Sequence, residues 1–426
     1  MTFGDLMKNF LLVILLFCFL TQLSAQSNNI SVSEVVTRID RQRITNFVTD
    51  LQSLGTRFML TDKRFIAAGY LKGKFESMGF TDVKLDSFYC HTTIGKRYFQ
   101  RDIDTTTLQI NVVATLPGSE KPDDIYIICG HYDSFCQNAD PFYTAPGADD
   151  NGSGTTCVLE AANAIMGSGY KPKATIKFIC FAAEELGYFG DMGSRSYAYR
   201  AAERGDNIKL VINNDMIGFN AHNITDAKVN VAPTLTFDNI EEVIDICNTY
   251  GAIDYLGEGY AGADLMGFTE MGYPGIYFEE NDFSIQAELN YHSSTDLAEN
   301  IDFIYMNEVV KAATAVLLSM QDVLSATEES AIPSSYILKQ NYPNPFNPTT
   351  KISYLLPNDS RVELKVFDVL GQEVYTIINK MEKAGEHQTI FKASALPSGV
   401  YFARLIALSE NGEEQYTQVV KMILSK

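Results

Sequence analysis

Imidazole and carboxylate side chains directly follow several apolar runs of this sequence. The residues concerned are His131 and Asp133, Glu184 and Glu185, Asp215 and, further along, His292. A Gly- and Asp-rich segment, residues 146–154, contributes Asp149. Imidazole and carboxylate are ligands that suit Zn²⁺. Two His and three carboxylates fit a two-metal site in which the ions share one carboxylate and one water.

Hydrolysis at such a site also needs a carboxylate that binds no metal. The shared water would lose a proton and attack, and the free carboxylate would pass that proton to the leaving nitrogen. Adjacent Glu184 and Glu185 offer one ligand and one base, because a loop can point neighbouring side chains in different directions. His91, His222 and His387 lack comparable acidic neighbours and are expected to be surface or structural residues.

The elements that must position these residues alternate between strand and helix patterns. Strand patterns are found at 83–88, 109–116, 125–129, 174–181, 210–213 and 275–278. Helical periodicity is found at 33–54, 62–78, 153–166, 240–249 and 303–323. The alternation predicts an α/β fold with a mainly parallel sheet and helices on both faces. In such sheets ligands bind beyond the carboxyl ends of the strands, where the imidazole and carboxylate residues are expected to meet.

The motifs resemble those of the M28 family of zinc exopeptidases, which includes secreted bacterial aminopeptidases. The matching segments are His131–Asp133, Gly147–Gly154, Ala183–Gly187, Asn214–Met216 and Tyr291–Ser293. The resemblance spans about residues 30–320 and implies the zinc exopeptidase fold.

The resemblance also implies two zinc ions per chain and a place for each ligand. By position, His131 and Asp215 would hold one zinc ion, and Glu185 and His292 would hold the other. Asp149 would bridge the two ions.

Further roles follow from the same resemblance. Glu184 would be the general base and acid, and Asp133 would accept the imidazole N–H of His131 and orient its ring. A cis peptide is expected between Asp149 and Asp150. Residues 262–268 depart from the family, in which Ser-Asp-His is common at this point. The resemblance therefore does not predict the details of the substrate pocket.

A secreted aminopeptidase acting on peptide substrates is the function that the resemblance favours. A glutaminyl cyclase with one zinc ion is an alternative that the presence of both His131 and Asp215 disfavours. A carboxypeptidase or dipeptidase would need a basic group for the substrate carboxylate, and none is evident by spacing. A catalytically inactive surface-binding protein on the same scaffold is disfavoured by the intact ligand set.

The N-terminal region has the pattern of an export signal. Residues 1–25 are predicted to be a signal peptide, because the apolar run Phe10–Leu20 has 11 residues, which is short for a membrane span. No stable membrane span is expected after its removal. The peptidase-like domain is predicted over 26–325, followed by a small polar linker over 326–335.

Residues 336–426 alternate short strand patterns with turn signals and predict a small all-β sandwich. Segments Tyr342–Pro348, Val366–Val374 and Leu396–Tyr401 closely resemble the C-terminal sorting domain of the type IX secretion system of Bacteroidetes-type bacteria. This resemblance implies contact with the type IX machinery and passage through the periplasm and outer membrane. The protein would then be secreted or held at the cell surface. The alternative is a carbohydrate- or protein-binding β-module.

Composition restricts the classes of partner. The 426 residues carry a net charge of -20, so nucleic acid is an unfavourable partner. With 46% hydrophobic residues, the chain can bury a large core, which excludes global disorder.

Overall fold

A computed structural model of the chain describes residues 30–94, 102–187, 191–220, 226–231, 237–252, 254–258, 262–280, 290–330, 335–409 and 414–425. The predicted signal peptide and His222 lie outside the described residues.

An eight-stranded mixed sheet forms the centre of the first domain. Its strands are β1 (Val83–Ile94), β2 (Ile103–Leu116), β3 (Lys121–His131), β4 (Ala174–Phe181), β5 (Asn207–Asn214), β6 (Asp226–Val231), β7 (Asp254–Glu258) and β8 (Gly275–Glu280). Their order in space is β1-β2-β4-β3-β5-β8-β6-β7. Strands β4, β3, β5 and β8 pair in parallel, whereas the β1–β2, β2–β4 and β8–β6 pairs are antiparallel. The expected parallel sheet is therefore found at the centre, between antiparallel pairings.

Helices cover both faces of this sheet. They are α1 (Val32–Val36), α2 (Arg41–Ser53), α3 (Lys63–Ser77), α4 (Gly152–Ser168), α5 (Glu184–Gly187), α6 (Gly193–Arg204), α7 (Phe237–Tyr250), α8 (Leu265–Glu270) and α9 (Phe303–Ser330), with a 3₁₀ turn at Ala298–Asn300. Neighbouring residues of β3 belong to separate apolar clusters. Ile128 lies in the larger cluster, and Ile127 lies in a smaller one with residues of α6 and α8. Burial on both faces explains why the central strands read as continuous apolar runs.

Two features of the elements differ from the sequence-based prediction. The helix predicted at 33–54 is broken into α1 and α2. Asp40 takes an extended conformation and caps α2, because its side chain accepts a hydrogen bond of 2.8 Å from the backbone N–H of Arg43. Strands β6 and β7 were not predicted.

The C-terminal domain is an antiparallel sandwich. Its strands are β9 (Ile337–Leu338), β10 (Thr349–Leu356), β11 (Ser360–Phe367), β12 (Glu373–Glu382), β13 (Gly385–Lys392), β14 (Gly399–Leu408) and β15 (Glu414–Leu424). They form a three-stranded sheet, β13-β10-β9, and a four-stranded sheet, β12-β11-β14-β15, around one apolar core. The predicted all-β architecture is confirmed.

Helix α9 runs to Ser330 and so enters the segment predicted as a linker, of which residues 331–334 lie outside the described residues. Its segment Phe303–Leu324 is the single described helix with the length and composition of a membrane span. Because 67% of its apolar window is buried within the protein, the segment has the environment of a core helix.

Candidate metal centre

The residues predicted to carry the chemistry lie at the carboxyl ends of the central parallel strands. His131 is the last residue of β3, Asp215 directly follows β5, and Glu184 opens α5 shortly after β4. All three are buried, with exposed fractions of 1%, 6% and 9%, respectively. The sequence-based expectation that these residues meet at one edge of the sheet agrees with their positions.

Two groups of side chains have the composition and spacing of metal sites. One contains His131, Asp150 and Asp215, and the other contains Asp150, Glu185 and His292. In each group, one potential ligand atom from every residue lies within 4.8 Å of the others. Asp150 belongs to both groups.

The carboxylate of Asp150 lies between the two histidines. Its Oδ1 is 3.5 Å from Nε2 of His131, and its Oδ2 is 3.1 Å from Nε2 of His292. The remaining members lie close to the same imidazole nitrogens, with Asp215 3.4 Å from His131 and Glu185 2.7 Å from His292. Asp150 is therefore the carboxylate that lies between the two groups.

The sequence-based prediction gave the shared position to Asp149, but the carboxylate common to both groups is that of Asp150. Asp149 belongs to neither group, and its Oδ1 instead accepts a hydrogen bond of 2.9 Å from the backbone N–H of Gly218. The expected cis peptide between Asp149 and Asp150 is also wrong, because the cis bond joins Asp150 to Asn151. The physical reason is that consecutive side chains of this loop point in different directions. Asp149 faces the backbone of Gly218, and Asp150 faces the two histidines.

Asp133 organises the loop that carries the two glutamates. Its carboxylate accepts hydrogen bonds of 3.1 Å from the backbone N–H of Glu184 and 3.3 Å from that of Glu185. Nδ1 of His131 lies 3.2 Å from the carbonyl oxygen of Asp133 and 3.5 Å from its Oδ1. These acceptors favour the tautomer that leaves Nε2 of His131 free to bind a metal.

Two further residues position members of the groups. Asp296 accepts hydrogen bonds of 2.8 Å and 3.0 Å from the backbone N–H groups of Asp149 and Asp150. Gln137 lies with its Nε2 3.0 Å from Nδ1 of His292, on the ring edge opposite the carboxylates. Asp296 lies four residues after His292 in the sequence, whereas no sequence motif points to Gln137.

Non-glycine residues with positive φ cluster around the candidate site. Ala183 (φ 62°) precedes Glu184, Met216 (φ 51°) follows Asp215, and His292 itself has φ 50°. Such conformations are uncommon and concentrate where a fold must aim particular side chains. They turn the chain at the ends of the strands so that the neighbouring polar groups point inward.

Electrostatics at the centre are dominated by buried carboxylates. Burial alone would lower the pKa of His131, but the carboxylates of Asp215 and Asp133 outweigh it and raise that pKa well above its usual range. Burial would likewise lower the pKa of His292, which Glu185 and Asp150 raise to about 11. In both cases the carboxylates favour a cation beside them.

The pKa values of the two glutamates are raised as well, but here burial is the main cause. Burial raises the pKa of Glu185 to about 7 and the pKa of Glu184 well above the usual range of a glutamate. Without a cation beside them, burial therefore favours the neutral form of both carboxyl groups.

The donor set fits zinc. Oε1 of Glu185 and Oδ1 of Asp215 are buried without a hydrogen-bond partner among the described residues. Buried carboxylate oxygens normally have a partner, and imidazole with carboxylate is a set that Zn²⁺ accepts. His131, Asp150 and Asp215 would hold one ion, and Asp150, Glu185 and His292 would hold a second.

The remaining described histidines lie elsewhere. His91 is exposed and lies 3.4 Å from Asp104, and His387 of the sandwich lies 3.1 Å from Glu382. Neither belongs to a metal-like group of the described residues.

Two buried charged residues near the centre had no assigned role from the sequence. Asp264, in the segment that departs from the M28 pattern, is fully buried, and burial raises its pKa to about 7. Arg57 is also fully buried, and its guanidinium hydrogen-bonds to the loop that carries Asp150. A lone arginine in the segment after a helix offers no pattern from which that contact can be predicted.

Comparison with known families agrees with this centre. A model described as peptidase family M28 matches residues 111–317, and one described as a secretion system C-terminal sorting domain matches residues 340–423. A probable zinc metalloprotease of Pyrenophora teres f. teres (strain 0-1) is 31% identical over 339 residues, spanning 72% of this chain and 70% of that protein. A probable aminopeptidase of Saccharomyces cerevisiae is 27% identical over 301 residues, spanning 69% and 76% of the two chains.

Solved structures resemble the first domain. The LapA aminopeptidase of Legionella pneumophila is 26% identical, with a TM-score of 0.55 over 67% of this chain and 73% of that one. A zinc aminopeptidase of Bacillus subtilis shares the fold at 17% identity, with a TM-score of 0.55 over 66% of this chain and 95% of that one. Both resemblances expected from the sequence are confirmed. The chain therefore belongs to peptidase family M28 and is a zinc metallopeptidase with a C-terminal sorting domain of a secretion system.

Proposed function

We propose that the protein is a secreted aminopeptidase that uses two zinc ions to remove N-terminal residues from peptides. The observation that carries the two-ion proposal is the placement of Asp150, whose two carboxylate oxygens face different histidines. Relatives named as aminopeptidases support the reaction class, and the sorting domain supports secretion through the type IX machinery.

When bound, the two zinc ions would polarise the scissile carbonyl and activate the attacking water. The ligand residues fix where that chemistry takes place, and the free α-amine of a peptide would approach the anionic edge formed by Asp215 and Glu185. This edge favours a cationic amine over a blocked, neutral N-terminus.

Glu184 has the position and environment of the proton carrier. Its Oε2 lies 4.0 Å from Nε2 of His131, and the residue belongs to neither metal-like group. Burial raises its pKa well above the usual range of a glutamate, which makes the carboxylate a stronger base than an exposed one. Glu184 would take the proton of the attacking water and pass it to the departing nitrogen.

A one-zinc glutaminyl cyclase remains the alternative within the fold. The complete group formed by His131, Asp150 and Asp215 favours the two-ion peptidase, because each member offers a ligand atom to a common point.

Hydrolysis of aminoacyl substrates with free and acetylated N-termini by the purified zinc-loaded protein tests the proposed function. We expect cleavage of the free-amine substrates alone. Equal cleavage of both forms would contradict an aminopeptidase. Cyclisation of an N-terminal Gln without peptide cleavage would support the cyclase instead.

A further inference from the structure

Arg57 is a fully buried cation behind the candidate metal centre. It lies in the segment between α2 and α3. No ion pair between described residues includes it. A buried arginine without a direct carboxylate partner is unusual, because its charge must be stabilised by other groups.

The guanidinium is held by backbone carbonyl groups from three parts of the chain. Nε donates to the carbonyl oxygen of Tyr132 at 2.7 Å, Nη1 donates to that of Pro146 at 2.7 Å, and Nη2 donates to that of Gly147 at 2.7 Å. A longer bond of 3.4 Å joins Nη1 to the carbonyl oxygen of Leu51 at the end of α2. The planar guanidinium therefore ties α2 to two segments of the metal centre.

Both of these segments carry candidate ligands. Tyr132 stands between His131 and Asp133, and Gly147 precedes Asp150 by three residues in the same loop. Gly147 also has φ 55°, and a Cβ at this position would press against Nη2 of Arg57. The loop thus lies directly on the guanidinium.

A second side chain, that of Asp296, holds the same loop through backbone N–H groups. Asp296 accepts hydrogen bonds from the backbone N–H groups of Asp149 and Asp150, as described above. Arg57 binds carbonyls at the start of the loop, and Asp296 binds amides at its centre. The two side chains attract each other, since the field of Asp296 is the largest favourable influence on the charge of Arg57.

Charge gives Arg57 a second effect on the centre. Asp133, Asp150 and Glu185 also stabilise its positive charge, although burial lowers its pKa. The described carboxylates around the centre are mostly buried, so a permanent cation beside them reduces their mutual repulsion.

We propose that Arg57 is a positioning residue that sets the Asp150 loop and thereby the zinc affinity of both metal sites. The inference rests on the proposed two-zinc function. A purely structural role in packing α2 would instead affect folding stability and leave metal binding unchanged.

Zinc competition titrations of Arg57→Met and Arg57→Lys against a chromophoric chelator test this proposal, together with the thermal stability of each full-length variant. We expect zinc affinity to fall about tenfold to hundredfold in the Met variant, the range typical for groups that orient metal ligands. The Lys variant retains charge but has a single ammonium that cannot satisfy carbonyls on several sides. It should therefore bind zinc more weakly than wild type, by about tenfold, the lower end of that range.

Arg43→Met is the matched control. Arg43 lies on α2 and pairs at 2.7 Å with Glu160, whose side chain is fully buried, so its loss also leaves a buried carboxylate without its cationic partner. We expect this variant to lose stability and keep wild-type zinc affinity.

Two results separate the possible failures. If Arg57→Lys folds and binds zinc with wild-type affinity, the positioning role is overturned, and this variant decides the matter even if Arg57→Met does not fold. If wild type binds no zinc, the proposed function itself fails before Arg57 is considered.

Discussion

Glu184 and Glu185 are adjacent residues with different positions relative to the metal-like groups. Oε2 of Glu185 lies 2.7 Å from Nε2 of His292, whereas Oε2 of Glu184 is 4.0 Å from Nε2 of His131. The turn at Ala183, with φ 62°, and the acceptance of both backbone N–H groups by Asp133 hold the pair in this arrangement. One carboxylate is therefore available as a ligand and the other as a proton carrier.

Glu184→Gln is expected to keep its zinc and lose turnover. Glutamine has nearly the same size but cannot accept the proton, so kcat should fall about 10²–10⁴-fold. Steady-state kinetics and zinc analysis on the same preparation measure both quantities. Glu185→Gln is the comparison, because it removes a ligand atom and should lower zinc content. A Glu184→Gln variant with normal kcat would exclude Glu184 as the proton carrier.

The identity of the shared carboxylate could not be predicted from residue type. Asp149 and Asp150 are neighbours of the same type, and the sequence carries no information on which one points toward the histidines. The structure separates them, because Asp149 binds the backbone N–H of Gly218 and Asp150 faces both imidazoles. The types of ligand and their order along the chain were predictable, but not the direction of side chains within one loop.

At the scale of elements, the start of α4 is packed against the end of β5. Asn151 caps α4 by accepting a hydrogen bond of 2.8 Å from the backbone N–H of Gly154, and its Nδ2 donates to the carbonyl oxygen of Asn214 at 3.0 Å. A Cβ on Gly154 would collide with that same carbonyl oxygen. Only glycine allows the helix to approach the strand this closely, and this approach places the Asp150 loop beside Asp215.

Gly154→Ala is expected to destabilise the fold by about 1–3 kcal/mol, the usual result of forcing an extra group into a packed interior. Zinc affinity should fall as well, because the displaced helix start carries the Asp150 loop with it. Denaturant unfolding and zinc titration measure the two effects.

Gly167→Ala in the same helix is the control, since no atom lies within 4 Å of a Cβ there. It should leave zinc affinity unchanged and keep or slightly raise stability. Equal changes in unfolding free energy and zinc affinity in the two variants would contradict the close packing of Gly154 against Asn214.

The elements were predictable where an apolar pattern was long. The buried strands β3 and β4 and helix α4 follow directly from such runs, because burial of both sheet faces requires continuous apolar residues. Strands β6 and β7 lack such runs and were missed. The break between α1 and α2 depends on the cap at Asp40, a local hydrogen bond that competes with helical periodicity.

At the scale of the whole molecule, the buried carboxylates make the stability of the metal-free protein depend on pH. Burial raises the pKa of Asp149 to about 6 and those of Glu185 and Asp264 to about 7. Unfolded carboxyl groups titrate near pH 4, so between about pH 4 and 7 the folded chain binds more protons. Raising the pH over this range therefore lowers the free energy of unfolding.

His292 acts in the same direction. Its pKa is raised to about 11, so its stabilising contribution is complete below about pH 6.5 and decreases as the pH rises toward the folded value. The pKa of Asp150 is lowered, and its contribution is lost only at more acidic pH.

We expect the Tm of the metal-free protein to fall by at least about 5 °C between pH 5 and pH 8. Saturating zinc should reverse the trend, because the ligands bind the ion in their deprotonated forms. The gap in Tm between loaded and metal-free protein should thus widen as the pH rises. Scans at low and high salt provide the control, since salt screens surface charges more than buried ones. Parallel pH profiles with and without zinc would contradict the account.

In the proposed two-zinc centre, one carboxylate, that of Asp150, serves both metal sites. Zinc content per chain, measured by mass spectrometry after dialysis of wild type, Asp149→Asn and Asp150→Asn, tests this claim most directly. We predict about two zinc ions in wild type and in Asp149→Asn, and fewer than about one in Asp150→Asn, because the last variant weakens a ligand common to both sites. Full zinc content in Asp150→Asn together with loss of zinc in Asp149→Asn would contradict the assignment of the shared carboxylate.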